Sequence, residues 1–83
     1  MENKMVIVLA GFVFTREINI YRGEECIEHV SCSAKDLEAL IISLAVKYGI
    51  HKISFIGDNY LIDKEKKTLM TKYRHLNFEI DTI

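Results

Sequence analysis

Proline and tryptophan are absent from these 83 residues, glycine occurs four times and cysteine twice. Each shortage excludes something. With no proline, no low-complexity tract and no repeat, nothing marks a linker, so residues 1–83 read as a single small α/β domain. The four glycines are too scattered to form a phosphate-cradling loop. The opening apolar run, Met5–Ala10, is far shorter than the roughly 20 residues a membrane span needs, and no small-residue cleavage site follows it. A soluble, cytoplasmic protein is expected. Cys26 and Cys32, if they share one extended strand, lie about 20 Å apart, beyond disulfide reach, which suggests reduced core thiols. His29, His51 and His75 fall in three different predicted elements without zinc-type spacing, so no metal or other cofactor is expected from them.

Strong charge of one sign is also missing. The formal net charge is −1 and the pI is near 6.3. The first 63 residues hold six Lys/Arg against nine Asp/Glu, and the last 20 hold five against three. Neither half names a polyanionic partner.

What is present is a hydrophobic share of 49% with clear periodicity. Met5–Ala10 is apolar without alternation, which predicts a central strand covered on both faces, and Gly11 predicts a bend before Phe12–Phe14. Ile18 and Ile20 alternate with Glu17, Asn19 and Tyr21, the period of a half-buried antiparallel strand, and Arg22-Gly23-Glu24 supplies a turn. Cys26–Ser31 alternates less cleanly and reads as a short third strand near an edge. Ser33 with Asp36 predicts an N-cap and its N3 acid, and Leu37, Leu40, Ile41, Leu44 and Tyr48 recur at helical spacing until Gly49. Ile42, Ala45 and Val46 widen that apolar face, predicting cover on a second side from another helix or a partner. Lys52–Gly57 reads as a parallel strand. Asp58 or Asp63 then starts a second helix carrying Leu61, Ile62, Leu69, Met70 and Tyr73 on one face, and Phe78, Ile80 and Ile83 close the chain as a strand. The expected fold is α/β with a mixed sheet: a three-stranded antiparallel start followed by α-β-α-β, giving β-β-β-α-β-α-β.

That order resembles the ribonuclease H-like superfamily over most of the chain. Ile18-Asn19-Ile20-Tyr21-Arg22-Gly23-Glu24 resembles its second strand and turn, and Asp36-Leu37-Glu38-Ala39-Leu40 the start of its first helix. Ile53-Ser54-Phe55-Ile56-Gly57-Asp58-Asn59-Tyr60-Leu61 is similar to its fourth strand ending in an aspartate. The resemblance implies carboxylates converging on two divalent ions about 4 Å apart, with Asp36 and Asp58 as candidate metal ligands and magnesium as the ion. The set is incomplete. Met5–Phe14 holds no Asp or Glu, and the family's acid after the last strand has no match within residues 1–83. The resemblance is therefore to a degenerate member.

Each candidate residue also has a simpler role. Asp36 and Asp58 suit helix starts, where the dipole and free backbone donors favour an acid. Lys64, Lys66, Lys67, Lys72 and Arg74 form a candidate nucleic-acid face, or a solvated helix favoured at its C-terminus by the dipole. Glu24, Glu25 and Glu28 make an acidic patch that protects a strand edge or steers a partner, and Tyr60 and Tyr73 are candidate partner anchors. No Ser, Cys and His grouping has nucleophile spacing. The expected function is a non-catalytic protein-interaction or regulatory module that binds another protein or self-associates as a homo-oligomer. Its size and lack of motifs also match a small inhibitor or regulator from a mobile element. The competing reading is a metal-dependent nucleic-acid enzyme or a nucleic-acid binder of ribonuclease H-like type.

Overall fold

A computed structural model gives the fold and describes residues 2–10 and 15–83. The bend expected at Gly11 and the stretch Phe12–Phe14 lie outside those residues. Five strands, two α-helices and one 3-10 turn follow in the expected order: β1 (Asn3–Leu9), β2 (Thr15–Arg22), β3 (Glu25–Ser33), α1 (Leu37–Tyr48), β4 (Lys52–Gly57), α2 (Asn59–Lys72), the turn Arg74–Leu76 and β5 (Glu79–Thr82). They form one mixed sheet in the order β3-β2-β1-β4-β5. Strands β1, β2 and β3 pair antiparallel, and β4 and β5 join in parallel.

Strand register decides which residues share a face. Met5 pairs with Ile20 and Ile53, and Ile7 with Ile18 and Phe55, so their side chains meet in one apolar layer. All are fully buried or nearly so, in a single cluster with Leu37, Ile41, Leu44 and Ala45 of α1 and Ile62 and Leu69 of α2. Both helices therefore lie on the same side of the sheet. Strand β1 is central as expected, but the described helices cover only one of its faces: Met5, Ile7 and Leu9 are buried while Val6 and Val8 are half-buried. Valine on a pleated strand satisfies β-propensity whether or not its face is covered, so the run Met5–Ala10 could not distinguish the two cases.

Helix α1 stops at Gly49, whose φ of 63° is left-handed. The Ile50 N–H reaches back to the Ala45 carbonyl at 2.8 Å, satisfying the helix end. Its start differs in detail from the expectation. Asp36, not Ser33, is the N-cap, and it caps without a side-chain bond to the helix; the Ser33 hydroxyl instead donates to the Asp36 carboxylate at 3.2 Å. Ala45 is buried, Ile42 half-buried and Val46 69% exposed, so the widened face of α1 is covered only in part. Asp58 caps α2 by accepting the Leu61 N–H at 3.1 Å. Cys32 packs against the core, but Cys26 is exposed, because the skipped residue Ile27 turns the strand there.

Candidate interaction surface

The sheet face opposite the helices is built by the other set of alternating residues. Three cross-strand rows follow from the register: Tyr21–Lys4–Lys52–Glu79, then His29–Asn19–Val6–Ser54–Asp81, then Ser31–Glu17–Val8–Ile56. Val6, Val8 and Ile56 form a small apolar centre, with Ile56 36% exposed. No helix among the described residues lies over it.

Polar networks flank that centre on both sides. On β2 and β3, the Glu17 carboxylate accepts from the Ser31 hydroxyl at 2.5 Å and lies 3.0 Å from His29 Nε2, while His29 Nδ1 is 2.6 Å from the Asn19 side-chain oxygen. The serine proton points to the glutamate and not to the imidazole, so His29 is not placed to deprotonate Ser31 as a nucleophile triad requires. On β4 and β5, the Ser54 hydroxyl, buried to 1% exposure, donates to Asp81 at 2.5 Å. Lys4, Lys52 and Glu79 join this pair around a groove of about 380 Å³. Lys52 is tied to Glu2 at 3.4 Å. Apart from His29, these residues carry no signal of a shared site in the sequence, because only the register of five strands brings them into rows; alternation alone tells which residues leave the core and not whom they meet.

The two sheet edges differ. Strand β5 is four residues long and carries Glu79 and Asp81. Strand β3 is nine residues long, and no described strand pairs with its outer side. It holds no Lys, Arg or Pro, the usual guards of an exposed edge.

The sequence candidates scatter around this frame. Asp36 is the N-cap of α1, after β3, and Asp58 the N-cap of α2, after β4, and β2 and β1 lie between those two strands. Among the described residues no three His, Cys, Asp or Glu side chains gather as a metal group. Of the acidic patch, Glu24 and Glu25 are exposed, whereas Glu28 turns toward α1, accepting from the Tyr48 hydroxyl at 2.9 Å and pairing with Lys47 at 3.3 Å. The Glu28 bond holds the Lys47 ammonium above its ordinary value. Lys72 and Tyr73 converge on Glu38, at 2.8 and 2.7 Å. Those bonds, Lys72 first, hold the Glu38 carboxyl below the usual range, and the same carboxylate raises Lys72 and Tyr73. Lys64, Lys66, Lys67 and Arg74 have no ion pair among the described residues. Lys64, Lys67 and Arg74 are exposed, and Tyr60 in the first turn of α2 is 78% exposed. Burial is the largest of the effects raising the Cys32 thiol, so it is held in its unreactive protonated form.

No protein-family model matches the chain, and no curated protein or solved structure matches it. No helix among the described residues is long and apolar enough to cross a membrane.

Proposed function

We propose that this chain is a small non-catalytic interaction module with a regulatory role, built on a degenerate ribonuclease H-like sheet and acting by binding a protein partner, itself included. One observation carries the reading: both helices cover the same face of the sheet, and the opposite face and the long β3 edge have no described element over them. An 83-residue chain buries only about 60–65% of its extended surface, so a partner that covers such areas adds stability a domain of this size is short of. The strand order, antiparallel over β3-β2-β1 and parallel over β1-β4-β5, supports the family resemblance. The helix-capping bond of Asp58, which accepts the Leu61 N–H, supports the non-catalytic side of it. The test is a solution mass across concentrations, with the protein isolated from its source cells and again after purification. Association lost on Val8→Asp or on a charge placed in β3 supports the reading; a strict monomer that carries nothing from its cells ends it.

A second reading, contact with nucleic acid through α2 and the turn after it, is favoured by the exposed Lys64, Lys67 and Arg74, without ion pairs among the described residues, and by the exposed Tyr60. It requires binding that weakens steeply with salt and a slope that falls on Lys67→Gln. Its metal-dependent form, through Asp36 and Asp58, requires magnesium uptake by calorimetry that Asp58→Asn removes.

A further inference from the structure

The groove of about 380 Å³ over β1, β4 and β5 holds charges of both signs that do not neutralise each other. Lys4 of β1 and Lys52 of β4 lie on one side of it, and Glu79 and Asp81 of the outer strand β5 on the other. Lys52 and Glu79 are neighbours in the register, yet no ion pair joins them, because Lys52 turns to Glu2 at 3.4 Å. The side chains of Lys4 and Glu79 have no hydrogen bond or ion pair among the described residues. A single anion entering the groove meets the two carboxylates, and a single cation meets the two lysines. One molecule that carries both charges satisfies both sides. We propose that this groove binds a small zwitterion of the amino-acid class, its carboxylate on Lys4 and Lys52 and its ammonium on Asp81 and Glu79.

Ser54 gives the groove a fixed point. It is the one polar residue buried among the described residues, in a strand whose neighbouring positions are Ile53 and Phe55. A valine would suit that position better, since a buried hydroxyl must find a partner. Its partner is Asp81, which accepts from the hydroxyl at 2.5 Å through one carboxylate oxygen. That bond holds the Asp81 side chain against the groove and leaves its second oxygen for a ligand ammonium. A local choice that spends strand stability on orienting an exposed acid is the mark of a binding site. Apart from Ile53 and Ile80, which pack in or against the core, the lining side chains are charged or hydroxylic, so the ligand is recognised by its charges and not by apolar contact. The volume is at the small end for ligand sites, which suits a molecule no larger than an amino acid or a dipeptide. Charges this open to solvent are screened, and the affinity is of the order of millimolar.

The experiment is an amide NMR titration of the intact chain with glycine, β-alanine and γ-aminobutanoate, zwitterions of increasing charge separation, and with acetate and methylammonium as single-charge controls. At least one zwitterion shifts the amides of Lys4, Lys52, Ser54 and Asp81 saturably, and neither control does. Lys4→Gln and Asp81→Asn each weaken binding about fivefold. Lys67→Gln, which removes one charge from α2, leaves it unchanged. Ser54→Val releases Asp81 and weakens binding while the thermal transition stays in place, because water replaces the hydroxyl on the exposed Asp81. A lower Tm with binding untouched makes the Ser54–Asp81 bond a structural contact and overturns its positioning role. Failure of every zwitterion to saturate up to about 100 mM overturns the proposal, as does an equal response to either control or a loss on Lys67→Gln as large as that on Lys4→Gln. The site does not rest on the interaction reading: zwitterion uptake by a chain that stays monomeric and carries nothing from its cells supports the site and ends that reading alone.

Discussion

At the scale of single residues, Gly57 and Asp58 show why a strand ending in Gly-Asp needs no catalytic explanation. Gly57 has a φ of 129°, and a Cβ there would run into the Leu9 carbonyl at the end of the neighbouring strand. The next residue donates its N–H to that same carbonyl at 2.8 Å. Gly57→Ala therefore both strains the backbone and pushes β1 and β4 apart, with an expected loss of about 2–3 kcal/mol, measured by denaturant unfolding. An unchanged midpoint would mean that the two strand ends do not approach this closely. Asp58 separates two roles by chemistry. Asp58→Ala removes the bond to Leu61 N–H and costs about 1 kcal/mol, whereas Asp58→Asn keeps a capping oxygen and is close to neutral. A metal ligand would respond the other way to asparagine, which lacks the charge a divalent ion needs, and the two variants compared with and without magnesium separate the cases.

At the scale of elements, the contact between α1 and α2 rests on Glu38 meeting Lys72 and Tyr73, and its pH dependence has a definite sign. The Glu38 carboxyl titrates below its unfolded value, so its contribution is present above the ordinary carboxylate range and is lost as pH falls through the lowered value. Lys72 and Tyr73 titrate above theirs, so their share is present below about pH 10 and is lost above it. Lys72→Met removes the larger cause, returns Glu38 toward its ordinary value in an NMR titration, and flattens the acid limb of the stability profile. Glu65, about two turns before Lys72 on α2, behaves oppositely. Burial raises its carboxyl, so its ionised form at neutral pH opposes folding, and that penalty disappears as pH falls below the unfolded value. Glu65→Gln is accordingly expected to raise Tm at pH 7 and to leave it unchanged near pH 3; a lower Tm at pH 7 would contradict the assignment. The helices themselves were legible in the sequence, since Leu37, Ile41 and Leu44 mark a face by spacing and Gly49 marks its end. The pairing of Glu38 with Tyr73 was not, because two surface-type residues 35 positions apart carry no local signal of where two helices cross.

At the scale of the whole molecule, the order of strands and helices could be read because period 2 and period 3.6 leave distinct marks, and the parallel placement of β4 follows from the helix that precedes it. What stayed hidden is the number of covered sheet faces. A run such as Met5–Ala10 is compatible with either one or two, and the difference decides whether the molecule is finished by itself or presents a surface. Adjacent residues of β4 measure it directly. Phe55 is fully buried among the helix-side residues, and Ile56, on the opposite face, is 36% exposed. Phe55→Ala should cost about 3–5 kcal/mol, a large part of the roughly 4–12 kcal/mol available to a chain of this size, and leave a weak or absent cooperative transition. Ile56→Ala removes a side chain that borders solvent and should cost less than about 1 kcal/mol in dilute solution. If the open face is the surface through which the molecule works, Ile56→Ala acts on association and not on folding: the thermal transition of the dilute protein stays in place while binding weakens. A cost at Ile56 as large as that at Phe55 would mean that the second face is covered within the single chain, and the one-sided architecture on which the functional reading stands would be wrong.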